Sequence, residues 1–311
     1  MIVRERPSGL RLFLTMRGSV LPSIRNSLLV TTLLAIAVTI SHGEIWHEKI
    51  TLTPIPFTLM GLPLAIFLGF RNNSAYDRYW EGRKLWGELV LRSRNLARQC
   101  LTLIEPGRAF VPGAGDIRER MVRRAVAYAH ALRHQLRGSD PAADVSPLLA
   151  SEEWLRARQA PNLPAFLTHA MGADLGRCLH EGRVDPLLAA SLDATVSAMV
   201  GIGAGCERIR NTPIPFSYTL LLHRTAYLYC FLLPFGLVDT IGYLTPLVVA
   251  IVAYTFFGLD ALGDEIEEPF GLAPNDLPLD ALCRTIEIDL RHALGELDLP
   301  PPLLPVNDWL R

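Results

Sequence analysis

Residues 59–86 read LMGLPLAIFLGFRNNSAYDRYWEGRKLW, an apolar run that ends at Phe70 and is followed at once by charged and aromatic residues. Leu62, Ile66 and Phe70 are spaced four residues apart, so a helix places them on one face, about 6 Å apart along its axis. Such a stripe is most often a core face that packs on other helices. Several copies around an axis would instead form an apolar constriction that gates by dewetting. The spacing leaves both interpretations open.

Three more apolar blocks accompany this one, at residues 27–40, 215–238 and 241–262. With residues 55–70, they predict four membrane helices, the first beginning near Leu21. The residues before the first block are too many for a signal peptide, and no cleavage pattern follows the block. Residues 55–70 are fewer than the ~20 that a lipid-facing span needs, which favours a helix that lines a cavity.

Basic residues are concentrated before the first block and after the second. They are Arg4, Arg6, Arg11, Arg17 and Arg25, and then Arg71, Arg78, Arg83, Lys84, Arg92, Arg94 and Arg98. The loops 41–56 and 235–246 contain a single lysine or arginine residue, Lys49. The positive-inside rule therefore predicts that both termini are cytoplasmic.

This orientation predicts five regions along the chain. They are a cytoplasmic segment (1–26), transmembrane helices 1 and 2 (27–70), a helical cytoplasmic domain (71–212), transmembrane helices 3 and 4 (213–262) and a second cytoplasmic segment (263–311).

Composition argues against several other functions. The net charge is −1, so the protein as a whole has no positive electrostatic field that would attract nucleic acid. The five cysteines stand apart from one another, so neither a zinc site nor a disulfide framework is predicted. The chain contains no HExxH, GxSxG or P-loop motif. We therefore predict a protein that is not an enzyme, with no catalytic residue and no metal ligand.

Charged residues at the end of the second block and inside the third need partners. The residues predicted to form ion pairs at the membrane junction are Arg71, Asp77, Arg78 and Glu81. Arg224 lies within the third apolar block, where an isolated charge is costly. Its candidate partners are Asp260, Asp264 and Asp77.

Three motifs, in this order along the chain, resemble the bacterial branch of the bestrophin family. They are RNNSAYDRYWEGRKLWG (71–87), GCERIRNTPIPFSY (205–218) and DEIEEPFG (264–271) followed by NDLPLD (275–280). The resemblance implies an all-α membrane protein with four transmembrane helices per subunit and a helical cytoplasmic domain. It also implies a homopentamer around one central pore, in the bacterial inner membrane.

The resemblance also implies where the pore is narrow. Three apolar residues on the second helix form the neck in this family, and by position they are Leu62, Ile66 and Phe70 here. A second constriction, the cytoplasmic aperture, follows an Asp-Pro pair. In this sequence Leu187 is the predicted aperture residue, and Val184 is the alternative.

The family's calcium site is not expected in this chain. Animal members bind calcium through an acidic run directly after Pro-Phe-Gly, and Leu272-Ala273-Pro274 stands there instead. This stretch lacks the oxygen ligands that calcium needs. We therefore predict no cofactor, and we expect Asp264, Glu265, Glu267 and Glu268 to pair with the junction arginines.

An apolar neck carries no charge that selects the sign of an ion. Glu44 and Glu48 near the outer mouth, and Glu181 and Asp185 near the exit, would favour cations if they face the pore; otherwise they are solvated surface charges. We expect a channel for small monovalent ions that favours cations. The alternatives are a chloride channel of the same fold and a non-conducting membrane scaffold.

Overall fold

The computed structural model describes residues 1–4, 9, 15–16, 18–45, 48–49, 52–113 and 115–311. These residues are almost entirely helical, with one short hairpin of strands. In chain order the elements are α1 (Leu21–Ile40), β1 (Glu44–Ile45), β2 (Glu48–Lys49), α2 (Ile55–Leu103), α3 (Ile117–Arg137), α4 (Ala142–Val145), α5 (Ser151–Ala157), α6 (Leu163–His180), α7 (Pro186–Asn211), α8 (Phe216–Ile241), α9 (Thr245–Glu267) and α10 (Leu279–Ala293). Single 3-10 turns cover Ser146–Leu148 and Gly242–Leu244.

The chain divides into two compact units. One unit comprises residues 5–79 and 213–268, and we call it the membrane unit. The second unit comprises residues 1–4, 80–212 and 269–311. The division at 212/213 coincides with a predicted boundary, whereas those at 79/80 and 268/269 lie beyond the predicted 70/71 and 262/263.

Within the described ranges, four helical stretches are long and apolar enough to cross a membrane. They are Leu21–Ile40, Ile55–Leu103, Pro186–Asn211 and Phe216–Glu267. The last comprises α8, a 3-10 turn and α9, so it contains both the third and the fourth predicted spans. Pro186–Asn211 was predicted to lie in the cytoplasmic domain. This helix is apolar because it packs on α3 and α6 in the second unit, and length and composition do not separate such a helix from a span.

In the membrane unit, α1, α8 and α9 pack on one another, and the first part of α2 joins their core. The core residues of α2 are Phe57, Leu64 and Leu68. Gly236 of α8 admits the ring of Phe57, because a Cβ at that position would lie only 2.3 Å from Phe57 Cε2. Small residues let membrane helices approach each other closely. This close approach provides the van der Waals contacts that stabilise helix packing in a membrane.

In the second unit, local sequence defines the ends of α3 and positions the helix for packing. Asp116 caps its N-terminus by accepting a hydrogen bond from the Arg118 backbone N–H, and Gly138 ends it with φ = 64°. Between these ends, α3 packs against α6, α7 and α10.

A buried ion network ties α3 to α5 and α6. Arg124 donates to Glu153 (2.6 Å) and to Asp174 (2.6 Å), and Arg120 also donates to Asp174 (2.7 Å). Because each buried charge has an opposite partner, the network satisfies groups that would otherwise be costly to bury.

Candidate functional site

The three predicted neck residues share one face of α2 in the membrane unit. Leu62, Ile66 and Phe70 are 68%, 47% and 58% exposed, although all three are large and apolar. The opposite face, which carries Leu64 and Leu68, is buried in the helical core. The described part of the subunit therefore leaves the stripe uncovered, which argues against a core role within one chain.

Aromatic packing supports the last residue of the stripe. The ring of Phe67 contacts the ring of Phe70 edge to face, with centroids 6.4 Å apart. It makes a similar contact with Tyr218 of α8, also at 6.4 Å, and the Tyr218 hydroxyl donates to the Phe67 carbonyl (3.1 Å). Phe70 is thus connected through Phe67 to the next helix of the membrane unit.

Arg71, the residue after Phe70, is completely buried among the carboxylates of α9. Its Nη1 donates to Asp260 Oδ1 (2.9 Å) and to the Asp260 carbonyl (3.1 Å). Its Nη2 pairs with Asp264 and lies 3.8 Å from Glu267 Oε2. An arginine can be buried in a membrane-spanning unit only with such partners. Of the four carboxylates expected to pair with the junction arginines, Asp264 and Glu267 contact Arg71 with their side chains.

The other junction residues have separate partners. In the membrane unit, Arg78 Nε donates to the Glu267 carbonyl (3.1 Å). In the second unit, Glu81 pairs with Arg208 (2.6 Å). Asp77 is exposed, and no ion pair of its carboxylate exists within the described part of the chain.

None of the three candidate partners of Arg224, which were Asp260, Asp264 and Asp77, pairs with it among the described residues. Asp260 bonds Arg71 instead, and its second oxygen, Oδ2, lies 2.6 Å from His223 Nδ1. The side chain of Arg224 is exposed and has no ion pair among the residues that the structure covers. Its neighbour His223 also contacts the ring of Tyr227, with centroids 4.3 Å apart. Sequence analysis missed His223, although an aspartate and a histidine inside adjoining apolar blocks were the signal for such a pair.

The two predicted aperture residues differ in exposure. Leu187, in the first turn of α7, is 84% exposed, whereas Val184 is only 3% exposed. The side chain of Val184 is buried within its own subunit. Leu187 is the exposed one of the two.

The two predicted vestibule carboxylates are both engaged. Asp185 caps α7 by accepting a hydrogen bond from the Leu187 backbone N–H (2.8 Å). Glu181 pairs with Arg183 (3.3 Å), and Arg183 in turn pairs with Glu105 (2.6 Å). Each carboxylate therefore has a local structural role, which weakens the argument that they select cations.

The loop after Pro-Phe-Gly is held by its own hydrogen bonds. The buried Asp276 carboxylate accepts from the Ala273 backbone N–H (2.7 Å). Among the described residues, no group of three or more His, Cys, Asp or Glu is arranged to hold a metal ion. Arg6, Arg11 and Arg17 of the orientation argument, and the side chains of Glu48 and Lys49, lie outside the described residues.

The fold and this site define a multi-pass α-helical membrane protein with an uncovered apolar stripe on one spanning helix. The sequence model of the family described as "Bacterial/Fungal Bestrophin protein" matches residues 1–292. The chain belongs to this bestrophin family, and the predicted resemblance is confirmed.

Relatives of known name align over nearly the whole chain. The "Voltage-dependent anion channel-forming protein mll4386" of Mesorhizobium japonicum is 45% identical over 310 residues, which are 99% of this chain and 96% of the relative. The "Voltage-dependent anion channel-forming protein YneE" of Escherichia coli K12 is 43% identical over 306 residues, 98% of each chain.

A solved structure has the same fold. A crystal structure of a bacterial bestrophin homologue from Klebsiella pneumoniae superimposes with a TM-score of 0.81 at 38% identity, covering 88% of this chain and 100% of the other. The all-helical fold with candidate membrane spans therefore matches a solved bestrophin structure.

Proposed function

We propose that this chain assembles as a homopentameric ion channel in which Leu62, Ile66 and Phe70 line the neck. The main observation that supports this proposal is the exposure of these three large apolar side chains on one face of a spanning helix. No element among the described residues of one subunit covers that face. Five copies around an axis would turn it into an apolar ring that controls conduction by dewetting.

A second constriction is proposed at Leu187. Its side chain projects from the first turn of α7, and Asp185 anchors that turn through the capping hydrogen bond. A large apolar side chain on a capped, well-ordered helix end is suited to a narrow, size-dependent aperture. Val184 is left out of this proposal because it is buried.

We favour monovalent anions as the permeant ions. The relatives from Mesorhizobium and Escherichia are named as anion channel-forming proteins. The cation preference expected from the sequence depended on Glu181 and Asp185, and both carboxylates have local partners. The apolar neck itself has no charge that contributes to the choice.

The proposed location is the bacterial inner membrane, with both termini in the cytoplasm. This orientation follows from the basic residues on either side of the first two apolar blocks. The described loop between α1 and α2 is a short hairpin, which suits the outer end of two consecutive spans.

The proposal is tested by recording currents from purified protein in planar bilayers with asymmetric NaCl. Three proteins are compared: the unmodified chain, the neck variant Leu62→Ala/Ile66→Ala/Phe70→Ala, and a matched control on α1, Leu29→Ala/Leu33→Ala/Ile36→Ala. The control removes similar exposed apolar side chains from a different helix.

We expect a larger current in the neck variant and an unchanged current in the control, because a wider and less apolar neck is wetted more easily. A reversal potential near the chloride equilibrium potential would support anion selectivity. A reversal potential near the sodium equilibrium potential would contradict it and indicate cation selectivity. Absence of current from a folded oligomer would favour the non-conducting scaffold instead.

A further inference from the structure

Arg71 lies on the buried face of α2, directly next to Phe70 of the proposed neck. It shares this face with Leu64, Leu68 and Ala75, all buried in the membrane unit. Consecutive residues of an α-helix point about 100° apart. The contact that fixes Arg71 therefore also fixes the direction in which Phe70 points.

The attachment of Arg71 to α9 leaves little room for rotation of α2. The guanidinium makes two hydrogen bonds to Asp260, one to the carboxylate and one to the backbone carbonyl. Gly263, one turn after Asp260 on α9, faces the guanidinium. A Cβ on Gly263 would lie 3.1 Å from Arg71 Nη1 and 2.5 Å from Asn72 Oδ1. We call Arg71, Asp260 and Gly263 the neck latch.

His223 shares the carboxylate on which the latch depends. Asp260 Oδ1 accepts from Arg71, and Asp260 Oδ2 lies 2.6 Å from His223 Nδ1. The His223 side chain is 47% exposed in the subunit. A neutral imidazole leaves the negative charge of Asp260 to Arg71, whereas an imidazolium competes for the same charge.

Other charged and titratable groups surround this pair. They are Asp264 and Glu267 of α9, Arg71 of α2, and Arg224 and Tyr227 of α8. Asp264 and Glu267 also contact Arg71. These two carboxylates would still compensate the charge of Arg71 if its contact with Asp260 weakened.

We propose that Arg71 is the positioning residue of the neck, and that protonation of His223 weakens the Arg71–Asp260 contact and raises the current. This inference rests on the proposed channel function. It adds a proton-sensitive control of the neck, which acts through the contact between His223 and Asp260.

The first test measures current at about pH 8 and about pH 6 for the unmodified chain, His223→Gln and His223→Lys. We expect the unmodified current to rise about threefold on acidification, which corresponds to the energy typical of coupled sites. The neutral glutamine and the permanently charged lysine should abolish this response, and the lysine variant should already conduct strongly at the higher pH.

His169→Gln, at an exposed histidine on α6, is the matched control and should respond like the unmodified chain. An unmodified chain without a pH response, or a pH response that survives in His223→Gln, overturns the proposal.

The second test does not need a current. Phe70→Cys is combined with His223→Gln or with His223→Lys, and the modification rate by a water-soluble thiol reagent is measured at one pH. All five natural cysteines are buried, so they need not be removed. We expect modification about threefold faster with lysine than with glutamine. Equal rates overturn the neck latch even if the protein conducts. Unequal rates without any current would retain the latch and reject the channel.

Discussion

The hydroxyl of Tyr128 occupies the space that a side chain on Gly203 would need. It donates a 2.6 Å hydrogen bond to the Met199 carbonyl, and a Cβ on Gly203 would lie 2.5 Å from the same oxygen. Tyr128 is buried, and its hydroxyl is held by this hydrogen bond. This contact determines how closely α3 and α7 approach within the second unit.

Gly203→Ala should therefore destabilise the protein. Overpacking costs about 1–3 kcal/mol, and the better helix propensity of alanine offsets at most about 1 kcal/mol. Tyr128→Phe alone should cost about 0.5–1.5 kcal/mol through the lost hydrogen bond. The double variant should be more stable than the sum of the two effects, because the added methyl group then fills the space of the removed hydroxyl. Thermal unfolding of the four proteins in detergent measures this, and additive losses would contradict the close contact.

Asp174 should make the second unit sensitive to acid. Burial by itself would raise the pKa of its carboxyl group, but the hydrogen bond from Arg120 and the charge of Arg124 outweigh burial, so the pKa lies below its ordinary value. A carboxyl with a lowered pKa in the folded state stabilises the protein above its ordinary pKa of about 4. That stabilisation is lost as the pH falls through the folded-state pKa.

Asp174→Asn should lower stability at pH 7 by up to about 3 kcal/mol, because two arginines lose a shared partner. It should also flatten the loss of stability below about pH 4. Thermal unfolding as a function of pH tests both effects. Asp193→Asn, at an exposed position of α7, is the matched control and should follow the unmodified chain. A variant that keeps the full acid sensitivity would assign it to other carboxylates.

Leu187→Ala should change how the pore discriminates ions by size. The side chain is exposed at the capped end of α7, so its truncation should widen the proposed aperture without disturbing the core. We expect the permeability of a large anion relative to chloride to rise about twofold or more, measured from bi-ionic reversal potentials. Leu188→Ala, one residue further on and less exposed, is the control. Equal effects of the two variants would remove Leu187 from the aperture.

The sequence by itself determined the helical character, the location of most apolar spans and the four-residue spacing of Leu62, Ile66 and Phe70. These features are local, since periodicity and block length within one stretch of chain specify them. The three bestrophin-like motifs were also sufficient for the family. Pro186–Asn211 was the ambiguous stretch, because a helix buried in a helical unit has the same composition as a span.

Only the tertiary structure decided which residues of distant segments meet. Arg71 and Asp260 are 189 positions apart. No pattern in the sequence around either residue indicates whether Asp260 pairs with Arg71 or with Arg224. Val184 and Leu187 are three residues apart and both apolar, yet one is buried and the other exposed. The physical reason is that partner choice and burial depend on how helices pack on one another, whereas sequence periodicity reports only the face on which each residue lies.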